Sequence, residues 1–539
     1  MQVLYSKIDK YIFLCYTKLV NLFKLNRRCL SQYRHLENDK FYLQKRKKMN
    51  SYRNDFGVTA LSLQVGECDT ERRVVWYQIQ SRKGARVRYA KSCDYDRNGG
   101  FNCENSIIVE ARTEKPYGND TYISCKARLC GLEKGTEYIY CVGDGEEFDV
   151  DEYRFYIPKD PENNVCFGIM SDVHFNVYQR KASDVYYHNR FVDWSQTVKC
   201  IREYGKELPA FIMSIGDNAS AAHMPANCFA HPEMKSPQGV AHYLEKENEE
   251  FFHVPLMKST AFASVLGNHD AQGYEEPNPY SSVTAYHFDM PNDDGVTGHF
   301  ESNSHGNFYF MCGQALIIGM NVIVCEYGNY KDNVKSHRDF ILRAIEAHPE
   351  AKWRFIFNHV PAYAYIGSAD INAKGAETEP SRMRKLFLQL LDGIDIDVVF
   401  TGHQHAFSRS YNILNGKPID CDKLESSRDE NGCISAKAKD VRGIMHYNVP
   451  APTNFSFFSS IAGNCHDFYA NYGVAECGLK SGKEAGLAAA DDYRGFLYDQ
   501  PMFVHAELES TQDSYKMTLK CIGRNDCIAY DTYVLEKSK

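Results

Sequence analysis

Five short apolar runs in the second part of the chain are each followed directly by side chains that bind metal ions in proteins. The runs are typical of buried strands, and they cover residues 165–170, 210–215, 261–266, 354–357 and 396–400. Apolar residues at helical spacing, such as Trp194, Val198 and Ile201, lie between several of them. Alternating strands and helices predict a layered α/β domain, in which the carboxyl ends of the strands border the ligand crevice.

The residues that follow these runs share a coherent chemistry. Two carboxylates, one amide and four imidazoles are present, namely Asp172, His174, Asp217, Asn268, His359, His403 and His405. Oxygen and imidazole ligands without a thiolate suit Mn, Fe or Zn. One tetrahedral ion takes fewer ligands than this, so two ions are expected, and a bridging carboxylate would hold them about 3.5–4 Å apart. Glycines at the same strand ends, Gly216, Gly267 and Gly402, let the backbone turn close to the site.

The part of the chain before these runs has a different pattern. Between residues 58 and 158, short β-type runs alternate with Gly, Asn and Asp, which predicts an antiparallel β-sandwich. Tyr138 follows a tight turn at the start of a strand, where sandwiches place a tyrosine corner, although a core tyrosine would give the same pattern. This segment has no clustered acids, bases or metal ligands, so we expect it to be a scaffold. Residues 158–164 are the best candidate for a linker.

The motifs taken together resemble those of a known family. Asp-x-His, Gly-Asp, Gly-Asn-His-Asp, a single His after a strand and Gly-His-x-His occur in that order between residues 172 and 405. This series resembles the calcineurin-like metallophosphoesterases, and the preceding segment, with Arg73 to Tyr77, resembles the fibronectin-like N-terminal domain of purple acid phosphatases. The resemblance implies an antiparallel β-sandwich over residues 58–158, followed by an α/β domain with α/β/β/α layers over residues 165–539.

The resemblance also implies two metal positions with one bridging carboxylate. The ligands would be Asp172, His174 and His405 on one ion, Asn268, His359 and His403 on the other, and Asp217 on both. A metal-bound hydroxide would be the nucleophile, because bound metal lowers the pKa of water to near neutrality.

Four further residues are candidates for catalysis or substrate contact. The family places His269 at the substrate, where it would protonate the leaving alkoxide or stabilise the charge of the phosphoryl group. Asp270 would orient that imidazole, or it would be an exposed turn carboxylate. His223 and Tyr363 lie on loops that should border the site, and they either contact the substrate or pack within their loops.

One position departs from purple acid phosphatases. Those enzymes carry Gly-Asp-x-x-Tyr, whose phenolate binds ferric iron and gives the colour, whereas this chain has Ser220 at that position. His174 offers the replacement ligand. We therefore expect a colourless protein that uses Mn, Fe or Zn.

These observations predict a dinuclear metal-dependent phosphatase that hydrolyses phosphate monoesters. A phosphodiesterase acting on nucleotide-type substrates is the alternative within the same chemistry, since loop contacts decide between one and two ester groups. A different class of function, a binding module, is the other alternative: the metal domain would be inert and the sandwich would bind a carbohydrate or a protein. The expected partner is a small phosphorylated substrate, and the sequence leaves the oligomeric state open.

The charge of the chain and the length of its apolar stretches argue against nucleic acid as a partner and against a membrane span. The chain of 539 residues has a formal net charge of −8, but residues 1–48 carry +9 and the remainder carries −17. An acidic body has no bulk attraction for nucleic acid. The stretch 11–23 contains Lys18 and is shorter than the roughly 18 apolar residues that a membrane span needs. Residues 1–48 are therefore interpreted as a basic leader of unknown role, unless Met49 is the true start.

The cysteines give a conflicting indication. The chain has 19 of them and no Cys-x-x-Cys motif, which argues against a zinc ribbon or a thioredoxin-like site. Disulfides would require an oxidising compartment, whereas the absence of a clear signal peptide favours the cytoplasm, where thiols stay reduced. We expect free, mostly buried cysteines.

Overall fold

The computed structural model of the protein describes most of the chain from residue 57 onward. The described residues are 57–116, 119–175, 184–220, 236–271, 280–299, 306–322, 334–363, 379–405, 407–429, 433–453 and 501–539. The basic leader at residues 1–48 lies outside them.

The first part of the described chain is the predicted β-sandwich. Its elements are β1 (Val58–Val65), β2 (Arg72–Ile79), β3 (Arg86–Lys91), helix α1 (Ser92–Asn98), β4 (Ile107–Glu110), β5 (Arg112–Glu114), β6 (Tyr122–Leu129), β7 (Glu137–Gly143) and β8 (Tyr153–Tyr156). One layer has the order β1-β2-β6-β5 and the other β4-β3-β7-β8. The buried side chains of Trp76, Val87 and Tyr140 lie in its core. The Tyr138 hydroxyl accepts a hydrogen bond from the Glu133 backbone N–H at 2.9 Å, so the tyrosine corner is confirmed.

The second part alternates strands and helices up to its C-terminal strands. Its elements are β9 (Asn164–Met170), α2 (Asp184–Glu203), β10 (Ile212–Ser214), α3 (Pro237–Phe251), a 3₁₀ turn (Pro255–Lys258), β11 (Phe262–Ser264), α4 (Asn268–Ala271), α5 (Tyr280–Ala285), β12 (Phe308–Cys312), β13 (Ala315–Met320), α6 (Val334–Ala347), β14 (Trp353–Asn358), α7 (Glu379–Leu390), β15 (Val398–Thr401), β16 (Ser408–Leu414), β17 (Lys417–Ile419), a 3₁₀ turn (Cys421–Lys423), β18 (Glu425–Arg428), β19 (Ile434–Lys439), β20 (Ile444–Asn448), β21 (Met502–Ser510), β22 (Ser514–Gly523) and β23 (Ala529–Ser538). All five predicted strands are present, as β9, β10, β11, β14 and β15.

Two sheets form the core of this part. The larger sheet has the order β18-β19-β23-β22-β21-β9-β10-β11-β1-β2-β6-β5, and the smaller one β12-β13-β14-β15-β20-β16-β17. The ring of Phe167 on β9 lies 6.3 Å from that of Phe355 on β14, so apolar faces of the two sheets meet. Helices cover the outer faces. Ile201 of α2 packs against Gly168 of β9, and the buried residues of α6 recur at helical spacing on its side towards β13.

The larger sheet runs through both parts of the chain. β1 of the sandwich pairs in parallel with β11, with Gln64 opposite Phe262. Side chains reinforce the junction, because Gln64 Nε2 donates to the His287 carbonyl at 2.7 Å and the Tyr140 hydroxyl donates to the Lys258 carbonyl at 2.8 Å. The sequence did not predict this continuity, which joins the sandwich to the α/β part by a shared sheet as well as by the segment at 158–164.

A buried ion pair joins the two sheets. Arg409 on β16 and Asp531 on β23 are 1% and 0% exposed, and Arg409 Nη2 lies 2.9 Å from Asp531 Oδ1.

Among the described residues, no helix combines the length and the apolar character that a membrane span requires.

Candidate metal centre

The seven candidate ligands follow strands of both sheets. β9, β10 and β11 are parallel neighbours in the larger sheet, and they deliver Asp172, His174, Asp217 and Asn268. β14 and β15 are parallel neighbours in the smaller sheet, and they deliver His359, His403 and His405. Each sheet therefore supplies about half of the site at its carboxyl edge, which is where ligands bind in α/β sheets.

The backbone at these strand ends is strained. Five of the seven residues have φ between +48° and +68°, namely Asp172, His174, Asp217, His403 and His405. Residues other than glycine rarely adopt this left-handed conformation, and each instance costs on the order of 1–3 kcal/mol. Such strain persists where the surrounding structure enforces it, and it clusters at functional sites.

Two glycines allow the ligand turns to approach one another. A Cβ on Gly267 would lie 2.1 Å from Asp217 Oδ1, and a Cβ on Gly402 would lie 1.7 Å from Ser171 Oγ. Neither position has room for a side chain. The Gly-Asn-His-Asp and Gly-His-x-His motifs therefore need glycine so that their backbone can pack against neighbouring strand ends.

The first group of ligands comprises Asp172, His174 and His405. Their ligand atoms lie within 4.8 Å of one another and could hold a metal ion. His174 Nε2 is 2.9 Å from His405 Nε2, and Asp172 Oδ1 lies 3.4 Å from His405 Nε2 and 3.7 Å from His174 Nε2. The two imidazole nitrogens and the carboxylate oxygen therefore face a common point.

The second group comprises Asp217, Asn268, His359 and His403. Asn268 Oδ1 lies 3.1 Å from His359 Nε2 and 2.9 Å from His403 Nδ1. His359 Nδ1 contacts the Ile215 carbonyl at 2.7 Å, so Nδ1 carries the proton and Nε2 is the nitrogen that can bind a metal.

Asp217 lies between the two groups. Its Oδ2 atom is 3.2 Å from His359 Nε2 and 3.5 Å from His174 Nε2. One carboxylate oxygen therefore faces an imidazole of each group, as a bridging ligand would.

The charges in this cluster oppose the effect of burial on the carboxylates. Burial raises the pKa of Asp217, but the neighbouring imidazoles, His359 above all, hold it well below its ordinary value. Burial likewise raises the pKa of Asp172, and His405 and other imidazoles bring it down to about 2. Burial lowers the pKa of His405 to about 4. At neutral pH both carboxylates are charged and His405 is neutral. Burial lowers the pKa of His359, but Asp217 outweighs it and raises that pKa to about 10, so a bound cation would displace a proton from His359.

His269 lies at this cluster. Its backbone N–H donates to Asp217 Oδ1 at 2.7 Å. Its ring stands perpendicular to that of His174, with the centroids 4.5 Å apart, and the ligand atoms of His174, Asp217 and His269 lie within 4.8 Å of one another. A proton donor at this position could reach a group bound beside the metal positions.

Asp270 is fully buried, so the alternative of an exposed turn carboxylate is wrong. Its two oxygens accept hydrogen bonds from the backbone N–H groups of Ala219 and Gly267, each at 3.0 Å. Burial and repulsion by Asp217 raise the pKa of Asp270 to about 7. The carboxyl group thus links the turn that follows β10 to the turn that follows β11.

Ser220 lies beside the histidine that the sequence offers as a replacement ligand. Its hydroxyl is 3.4 Å from His174 Nδ1, the ring nitrogen opposite the one that faces His405. Its backbone N–H donates to a carboxylate oxygen of the buried Glu247 on α3 at 2.8 Å. Ser220, at the position of the tyrosine ligand, therefore contacts His174 on the side of the ring that faces away from His405.

The structure describes one of the two predicted substrate contacts. His223 lies outside the described residues. Tyr363 is 3% exposed, and its ring centroid is 4.5 Å from that of His446 on β20. Tyr363 lies in the loop that follows β14 and packs against β20, and its contact with a substrate stays a prediction.

Sequence reasoning missed one residue of the centre, Glu379. Its Oε2 atom lies 3.0 Å from His403 Nε2, so the carboxylate accepts a hydrogen bond from the ring nitrogen that faces away from Asn268. Burial lowers the pKa of His403, but the hydrogen bond and charge of Glu379 outweigh it and raise that pKa. Glu379 begins α7 and precedes His403 by 24 residues. No local pattern distinguishes it from other surface carboxylates.

Comparisons with known proteins identify the two parts of the chain. Residues 167–407 match the family model of the calcineurin-like phosphoesterases, and residues 58–156 match that of the purple acid phosphatase N-terminal domain. Purple acid phosphatase 21 of Arabidopsis thaliana is 27% identical over 172 residues, or 31% of this chain and 35% of that protein. The match thus spans about a third of the length of this curated relative.

A solved structure is similar over more of the chain. The purple acid phosphatase PPD1 isolated from yellow lupin (Lupinus luteus) seeds has a TM-score of 0.59 and 14% identity, and the match covers 90% of this chain and 75% of that one. At this identity the likeness shows the fold, which is a β-sandwich followed by a mixed α/β metallophosphoesterase domain. The chain therefore contains a purple acid phosphatase N-terminal domain followed by a calcineurin-like phosphoesterase domain.

Proposed function

We propose that the protein is a dinuclear metal-dependent phosphatase that hydrolyses phosphate monoesters of small molecules. The observation that carries the proposal is the position of Asp217, whose one carboxylate oxygen lies 3.2 Å from His359 Nε2 and 3.5 Å from His174 Nε2. A carboxylate between two groups of ligand atoms is what a pair of ions needs, and the family of the α/β part is named for the hydrolysis of phosphate esters.

The residues present fit two ions. Asp172, His174 and His405 would hold one and Asn268, His359 and His403 the other, with Asp217 shared. The donors are carboxylate, amide and imidazole, which suits Mn, Fe or Zn. The ring nitrogens also have the required orientation, since His359 Nδ1 is bound to the Ile215 carbonyl and His403 Nε2 to Glu379.

When bound, the ions would stabilise phosphate charge and lower the pKa of water, which supplies the nucleophile. The protein's own residues do the remaining work. His269 donates a proton to the leaving alkoxide or stabilises the phosphoryl oxygens, and it is held by its backbone bond to Asp217. Asp270 positions the turn of His269 through the backbone N–H of Gly267.

The proposal includes a colourless centre. Ser220 has no phenolate to bind ferric iron, and its hydroxyl instead contacts His174 Nδ1 at 3.4 Å. Protein loaded with iron should show no charge-transfer band in the visible spectrum. A strong visible band would contradict the assignment of His174 as the replacement ligand.

The decisive experiment is hydrolysis of a nitrophenyl phosphate monoester and of the matching bis-ester by the full chain, reconstituted separately with Mn, Fe and Zn. Asn268→Ala serves as the blank, and Asn163→Ala, at an exposed asparagine, serves as the matched control. Turnover of the monoester that is lost only in Asn268→Ala supports the phosphatase. Turnover of the bis-ester alone would instead establish a phosphodiesterase, and two bound ions without turnover of either would favour the inert domain with a binding sandwich.

A further inference from the structure

Two cysteines that the proposed reaction does not use lie in contact. Cys200 is on α2, and Cys527 is in the turn that joins β22 to β23. The two thiols hydrogen-bond to each other. Cys527 is exposed to solvent and Cys200 is partly buried. The pair therefore has one thiol that reagents can reach and one that is held behind it.

The turn is anchored to the face of α2 that carries Cys200. Arg524 donates to the Asp193 carbonyl at 3.1 Å and contacts the Thr197 hydroxyl at 3.4 Å. Asp193, Thr197 and Cys200 follow one another at intervals of four and three residues, which places them on one side of the helix. The Cys200 sulfur in turn lies 3.7 Å from the Arg524 carbonyl oxygen. These contacts hold the two cysteines in register.

The backbone of Cys527 is also fixed. Its N–H donates to the Gly523 carbonyl at 2.8 Å, and its φ of +59° is in the left-handed region.

The hydrogen bond from Cys200 outweighs burial and lowers the pKa of the Cys527 thiol to about 7. The contact with Cys200 therefore favours the thiolate of Cys527, which is the reactive form.

Two other exposed cysteines, Cys68 and Cys130, provide a contrast. The Cys68 thiol contacts the Thr70 hydroxyl at 3.4 Å, and the Cys130 thiol contacts a Glu71 carboxylate oxygen at 3.8 Å. Burial and the Glu71 charge raise the pKa of Cys130, which disfavours its thiolate. Exposure alone does not produce the arrangement found at Cys527.

We propose that Cys200 and Cys527 are a redox-active dithiol that a peroxide converts to a disulfide between α2 and the β22–β23 turn. The Cys527 thiolate attacks a peroxide oxygen, which breaks the O–O bond and gives a sulfenic acid and hydroxide. The Cys200 thiol then attacks the Cys527 sulfur, the S–S bond forms, and the sulfenic oxygen leaves as water. The two sulfurs together lose two electrons, which the peroxide accepts.

The disulfide would close a long loop. Roughly 330 residues lie between the two cysteines, and cross-links over long loops remove much conformational entropy from the unfolded chain. For a protein of this size we expect the Tm to rise by about 3–5 °C on oxidation and to return on reduction. This shift gives a readout that is independent of phosphatase activity.

The test uses the reduced full chain treated with hydrogen peroxide at neutral pH, followed by alkylation, digestion and mass spectrometry. The expected product is one linked pair of peptides that contains Cys200 and Cys527, is two hydrogen atoms lighter than the two thiol peptides, and separates with dithiothreitol. Cys527→Ser should abolish both the linked pair and the rise in Tm. Cys527→Asn should do the same while keeping a residue that tolerates the left-handed turn. Cys93→Ser, at another exposed cysteine, should leave both intact.

Three results would overturn the proposal. The first is oxidation of Cys527 to sulfinic acid while Cys200 remains available for alkylation. The second is a linked pair that joins either cysteine to a different partner. The third is recovery of both residues as free thiols at peroxide concentrations that oxidise Cys93.

Discussion

Replacing Glu379 by alanine should weaken one metal position and spare the other. Its carboxylate lies 3.0 Å from His403 Nε2, while His403 Nδ1 lies 2.9 Å from Asn268 Oδ1. The carboxylate therefore fixes which nitrogen carries the proton and how the ring is turned. Loss of such a partner typically weakens metal binding by about 10–100-fold, or ~1.4–2.8 kcal/mol. The side chains are 27% and 24% exposed, so water can replace part of the contact and we expect the lower end, about 10-fold.

Metal affinity is measured by competition with a chromophoric chelator, with Zn titrated into the metal-free full chain. Glu379→Gln should give an intermediate loss, because the amide oxygen still accepts the hydrogen bond but carries no charge. Glu350→Ala is a matched control, since Glu350 accepts a hydrogen bond from His348 at 3.1 Å on the surface. If Glu379→Ala binds both ions within about twofold of the unaltered protein, the positioning role is refuted.

Three further predictions concern catalysis and stability. His269→Ala should lower kcat by roughly 10²–10⁴-fold at unchanged metal content, and a normal kcat would remove the proposed proton donor. Asp531→Ala removes the carboxylate that lies 2.9 Å from the buried Arg409 guanidinium and should lower the free energy of unfolding in urea by about 3–5 kcal/mol, so a loss below about 1 kcal/mol would contradict the role of the pair. Burial lowers the pKa of His337 to about 4, compared with 6.5 in the unfolded chain. Between these two pH values only the unfolded chain binds the proton, so the free energy of unfolding falls as the pH drops towards 4. Between pH 7 and pH 5 the free energy of unfolding of His337→Gln should fall by about 2 kcal/mol less than that of the unaltered protein. Equal falls in the two proteins would show that His337 does not titrate in this way.

The strands and the ligand-bearing turns could be predicted because their signals are local. Each ligand follows an apolar run within a few residues, and the glycines stand beside the ligands that need them. The structure brings Asp172 and Asp217 together as expected, since β9 and β10 are parallel neighbours whose carboxyl ends share an edge. His359 follows a strand of the other sheet and meets them because the two sheets pack together. Tyr138 was likewise recognisable from the turn that precedes it.

The parts that could not be predicted depend on contacts between distant segments. Glu379 meets His403 only because α7 begins beside the end of β15, and nothing in the residues around it shows this. The burial of Asp270 was equally hidden, because its partners are backbone N–H groups on two separate turns. The pairing of β1 with β11 joins strands of different parts of the chain, for which no periodicity gives the register.

That pairing bears on whether the sandwich is a separate binding module. β11 is only three residues long, and it lies between β10 and β1 in the larger sheet. Without β1 it would be an edge strand with unpaired backbone groups, and it leads directly to Asn268 and His269. The bond from Gln64 to the His287 carbonyl adds a second tie beside the same strand. The sandwich therefore supplies the strand that pairs with β11, and with it part of the framework beside the turn that carries Asn268.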